Sequence, residues 1–106
     1  MSAPRASNDQ PPDLEWQVAE CLLPGLSRES AAAWGSRVRQ ELSGRPGRRV
    51  AFVGLLLMPE DEVLLCLFAG AHADVRAVSE QAGLPFERIL ACAGIGWQIS
   101  VDANPT

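Results

Sequence analysis

The chain has no lysine and no tyrosine, and all nine of its basic residues are arginine. Schiff-base chemistry through a lysine amine and acid catalysis through a phenol are therefore closed to it. Histidine occurs once, as His72. Cysteine is sparse and unpatterned: Cys21, Cys66 and Cys92 cannot all pair within one chain, show no CxxC spacing, and each falls in an apolar strand pattern. They read as buried free thiols in a reducing compartment. A thiolate metal site shared by all three is the less economical reading. No apolar run is long enough to cross a bilayer, and the stretch from Met1 to Pro12 lacks the apolar core of a signal peptide. The expected location is the cytoplasm, with no membrane role. Positive charge is also in short supply: the net charge is -4 and no basic stripe is present. That argues against a nucleic-acid surface, which rests on clustered cations. The one basic knot, Arg45, Arg48 and Arg49, sits among Gly44, Pro46 and Gly47 and reads as a solvated turn.

What is present suits a single folded domain. In 106 residues, 47% are hydrophobic and 21% charged, enough to build a core and too little charge for a disordered chain. Residues 1–13, rich in Ser, Pro, Asn and Asp, are expected to be a disordered tail, 14–101 the domain, and 102–106 a C-terminal tail.

Within the domain the apolar periodicity alternates between strand and helix. Glu15 to Leu23 reads as a strand with Trp16, Val18, Glu20 and Leu22 on one side and Gln17, Ala19, Cys21 and Leu23 on the other. Ser27 is a credible N-cap for a helix to about Ser43, stopped by Gly44, with Ala31, Trp34, Val38 and Leu42 as its apolar stripe. Arg49 to Met58 and Glu62 to Ala69 form a hairpin about a solvated turn at Pro59, Glu60 and Asp61. In its first strand Val50, Phe52 and Leu56 oppose Ala51, Val53, Leu55 and Leu57. A second helix runs from near His72 to Gly83, with Val75, Val78 and Ala82 buried. A last strand is expected from about Arg88 to Val101, with Gly94 and Gly96 marking a bulge or close approach.

The order strand, helix, strand, strand, helix, strand is that of a ferredoxin-like βαββαβ domain: an α+β fold with two helices on one face of a four-stranded antiparallel sheet. Right-handed connections put the first and third strands at the centre. Every strand is apolar on both sides, yet two helices cover only one face. The other face should be hidden by a second subunit, a ligand or both.

Glu20 marks that open face, because a carboxylate amid Trp16, Val18 and Leu22 is too costly to bury unpaired beneath the helices. It is placed to act as ligand anchor, general base or metal ligand, or more simply as partner of an arginine across a subunit contact. His72 could assist as a second catalytic group, although the start of a helix equally accounts for it. Trp16 and Trp97 offer flat apolar walls suited to a pocket or an interface.

Three segments carry a resemblance: Gly25-Leu26-Ser27; Pro59-Glu60-Asp61-Glu62-Val63 leading to Cys66-Leu67-Phe68; and Ala82-Gly83-Leu84-Pro85-Phe86-Glu87-Arg88-Ile89. Together they resemble a family of small actinobacterial ferredoxin-like proteins, largely a domain of unknown function, with a nickel-binding member. The resemblance implies a domain that pairs through its sheets. Nickel-binding relatives carry histidines near the end of the first strand, at positions that correspond to Glu20 and Cys21 here, so this chain departs from their pattern.

These readings converge on a homodimer in the manner of dimeric α+β barrels, whose two sheets enclose an apolar cavity. It would bind a small apolar molecule through Trp16, Val18, Glu20 and Trp97, with no resident metal or cofactor. The alternative is a cofactor-independent isomerase, cyclase or oxygenase-like enzyme of specialised metabolism, with Glu20 as general base and His72 or an arginine assisting. A metal-binding protein is the weaker alternative, and a face that docks a different protein is a further class.

Overall fold

The computed structural model describes residues 16–44, 47 and 49–93. Six elements follow the expected order: β1 (Trp16–Leu22), α1 (Arg28–Ser43), β2 (Ala51–Met58), β3 (Val63–Ala69), α2 (His72–Gln81) and β4 (Phe86–Cys92). The four strands form one antiparallel sheet in the order β2-β3-β1-β4, with β1 and β3 central. This is the α+β ferredoxin-like arrangement. The two tails, Trp97, and any continuation of the last strand past Ala93 lie outside the described residues.

Local chemistry explains where the helices begin and end. Ser27 caps α1: its hydroxyl accepts from the Ser30 amide at 3.1 Å, while the Ser30 hydroxyl accepts from the Ser27 amide at 2.9 Å. Two otherwise unmatched amides are thereby satisfied. The helix buries Ala31, Gly35 and Val38, with Trp34 and Leu42 half-buried beside them. Gly35 allows a close approach to the sheet, since a β-carbon there would lie 3.1 Å from Leu55 Cδ1. Helix α2 has no side-chain cap and ends before Gly83, whose φ of +74° suits a residue without a β-carbon.

The core lies between the helices and one sheet face. Ala19 and Cys21 of β1, Leu64, Cys66 and Phe68 of β3, and Val38, Val75 and Val78 of the helices are all fully buried. Phe52 packs on Phe68 with ring centroids 5.4 Å apart, within the range of favourable aromatic pairs.

Two β-bulges change the expected pattern. In β2 the register shifts between Phe52 and Gly54, so Phe52, Leu55 and Leu57 pair with Phe68, Cys66 and Leu64 of the core face. Leu56, opposite Leu65, lies on the other face. Strict alternation had grouped Phe52 with Leu56; one extra residue, Val53, resets the period. In β4 the strand starts at Phe86, two residues earlier than expected, because Phe86 pairs with Cys21 and Glu87 forms the irregularity before Arg88 pairs with Glu20. Phe86 also lies under the Arg76 guanidinium, 5.4 Å from its ring centroid.

The hairpin turn does more than stay wet. Glu62 adopts a left-handed φ of 56°. Its carboxylate accepts from the Gly25 amide at 2.9 Å, and its carbonyl accepts from the Leu23 amide at 2.9 Å. The β2–β3 turn is thus tied to the loop that launches α1.

Candidate functional site

Strand register defines the face away from the helices. Directly paired residues share a face, and the pairings arrange it in rows across the sheet. Met58, Val63 and Leu22 form one row; Leu56, Leu65, Glu20 and Arg88 the next; Gly54, Leu67, Val18 and Leu90 the third; and Ala51, Ala69, Trp16 and Cys92 the last. The exposed large hydrophobic residues among the described residues are Leu22, Leu56, Met58 and Leu90. All four stand on this one face. A hollow of about 200 Å³ opens on it, lined by Trp16, Val18, Leu56, Leu65, Leu67, Cys92 and Ala93.

Glu20 has a partner in its own chain. Arg88 Nε donates to Glu20 Oε1 at 2.6 Å, a short charge-assisted bond between directly paired residues of β1 and β4. The Glu20 side chain is 25% exposed and that of Arg88 63%. The arginine contact expected across a subunit boundary is therefore made within the protomer, in the row that also holds Leu56 and Leu65 of the hollow's lining. The other N–H donors of Arg88 have no protein partner among the described residues.

Trp16 and Val18 line the hollow and Glu20 does not, whereas Trp97 lies outside the described residues. His72 is the exposed first residue of α2. It follows the end of β3 that pairs with Trp16, four residues along β1 from Glu20, and α2 packs on the opposite sheet face. The fold does not bring His72 and Glu20 together. Among the described residues no group of three or more His, Cys, Asp and Glu side chains is arranged to hold a metal ion.

The cysteines divide between the faces. Cys21 and Cys66 are fully buried beneath the helices, while Cys92 is exposed on the open face opposite Trp16. The expectation that each cysteine is a buried free thiol fails at Cys92, because it stands on the open face of the edge strand β4, away from the helices. The Cys66 thiol donates to Cys21, which draws Cys21 below the ordinary thiol value against burial and the charges of Glu20 and Glu87. The same hydrogen bond, burial and the charge of Cys21 push Cys66 well above that value. Partial burial raises Cys92.

A second depression, about 440 Å³, lies between α1 and β2 and is lined by Arg28, Ala31, Ala32, Leu55, Leu57 and Pro59. It is larger, but it marks where one helix leaves an edge strand half covered, and Arg28 is its only charged group among the described residues. The open sheet face is the stronger candidate, since it gathers the exposed apolar side chains and the ion pair together.

The fold and this face define a class, an α+β ferredoxin-like domain with one uncovered apolar sheet surface. Among solved structures, the crystal structure of SCO4226 from Streptomyces coelicolor A3(2) is similar to it, with a TM-score of 0.57 and 17% sequence identity. The likeness covers 79% of this chain and 99% of that one. At that identity it speaks for the fold alone. No protein-family model matches the chain, and no curated protein matches it.

Proposed function

We propose that the protein is a homodimeric small-molecule binder whose two open sheet faces pack together and enclose an apolar pocket. The observation that carries this reading is that Leu22, Leu56, Met58 and Leu90 are all displayed on the sheet face that holds the hollow. Four strands about 4.8 Å apart and seven residues long give a face on the order of 400 Å², within the range of about 300–600 Å² of the largest and often functional apolar patch on a protein surface. A two-fold contact needs one self-complementary patch. The Glu20–Arg88 pair leaves this patch without net charge, so two copies meet without like-charge repulsion. A single hollow is small for a ligand, but two facing each other total about 400 Å³, inside the usual range of about 300–1,000 Å³ for such sites.

Native mass spectrometry and sedimentation equilibrium test the reading together. The expected species is a dimer of the 11.4 kDa chain that retains or takes up small apolar molecules. Leu56→Asp and Leu90→Asp should each give a folded monomer with the same far-ultraviolet circular dichroism, because both side chains are exposed in the protomer. A wild-type chain that stays monomeric at tens of micromolar, or one whose dimer survives both substitutions, would sink it.

A further inference from the structure

We infer that the pocket takes a carboxylate-bearing ligand, with an apolar body in the hollow and the acidic group on Arg88. This deepens the reading above and rests on it. The apolar part is set by the lining, which includes the indole of Trp16 and the side chains of Val18, Leu56, Leu65 and Leu67. The polar part is set by the neighbouring row. Leu56 and Leu65 line the hollow and stand in the same row as Glu20 and Arg88, with Glu20 directly paired to Leu65 and Arg88 directly paired to Glu20. Neither Glu20 nor Arg88 lines the hollow itself; neighbouring strands lie about 4.8 Å apart, so Glu20 stands one strand from Leu65 of the hollow wall and Arg88 two. The bond to Glu20 Oε1 holds the guanidinium beside that carboxylate.

Chemistry at that spot favours an acceptor over a donor. Glu20 is already neutralised by Arg88, whereas Arg88 spends only its Nε on Glu20 and is 63% exposed. Its remaining N–H groups form the planar fork that matches a carboxylate. The chain has no lysine, and among the paired residues that form the four rows of this face Arg88 is the cation. Glu20 then has a defined part: it orients the guanidinium, and its negative charge weakens the hold on a second carboxylate, keeping binding reversible.

Isothermal titration with 2-naphthoate and its neutral isostere 2-naphthamide tests the inference, with dimer mass measured on the same samples. The wild-type protein should bind the acid about tenfold more tightly than the amide, the factor expected of about 1.4 kcal/mol from one charge-assisted contact. Arg88→Gln should erase that preference, with the larger loss falling on the acid. Glu20→Gln, which keeps the side chain's shape and removes the competing charge, should tighten the acid several-fold. Equal affinity for the two probes, or a preference that survives Arg88→Gln, overturns the anionic class and leaves the apolar pocket standing. Binding of neither probe overturns both readings at once.

Discussion

At the scale of single residues, the buried polar groups make the sharpest statements. Ser79 is fully buried in α2, and its hydroxyl has no hydrogen-bond partner among the described residues. A buried hydroxyl without a partner costs desolvation and returns nothing, and alanine is the better helix former. Ser79→Ala should therefore leave stability unchanged or raise it by up to about 1 kcal/mol in urea unfolding; a clear loss would mean that the hydroxyl is bonded. The thiols set a pH dependence. An unfolded cysteine ionises near pH 8.5, but Cys66 in the fold keeps its proton far above that range because it donates to Cys21 and is buried. Its raised value stabilises the fold below the unfolded thiol range, and that contribution is lost as pH rises. Cys21 has the opposite sign, its contribution fading as pH falls through its lowered value, and above pH 8.5 it is ionised in both states and adds no slope. Under reducing conditions stability should decline above about pH 9, and Cys21→Ala/Cys66→Ala should flatten most of that decline, Cys92 leaving a small residue of the same sign. An equally steep alkaline limb in the double variant would place its source elsewhere.

At the scale of elements, Val53 shows where a sequence pattern stops being readable. In β1 plain alternation separates Trp16, Val18, Glu20 and Leu22 from Gln17, Ala19 and Cys21, and the structure keeps that division. In β2 every residue from Ala51 to Met58 is apolar or glycine, so no polar side chain flags the skipped beat. The bulge becomes visible only through pairing with β3. If Val53 is the supernumerary residue, its deletion should leave Phe52, Leu55 and Leu57 on the core face and cost little stability, whereas deleting Leu56 should reverse the residues before it and unfold the chain. Thermal melts of the two deletions decide the matter, and equal damage from both would refute this account of the strand. The helices were more legible because their signals are local: Ser27 and Gly83 act within one turn of where they stand. The Glu20–Arg88 bond was not, since its partners are 68 residues apart and meet only when β1 and β4 align.

At the scale of the whole molecule, one face of the sheet is spent on the core and the other is held in reserve. That division follows from composition and strand order alone, which is why the open face and the placement of Glu20 upon it could be read from the chain. The hollow could not, because Leu56, Leu65, Leu67 and Cys92 come from three strands, and their meeting depends on register and on the reset at Val53. The same irregularities bear on how the protein behaves when crowded. Both outer strands, β2 and β4, carry a bulge, and a bent edge is a poor template for the next chain's backbone. Growth sideways into a ribbon is thereby discouraged, while the apolar face still permits a contact that closes after two copies. On a sheet this greasy, a straight margin would be an open invitation to fibre growth, and both margins here are crooked.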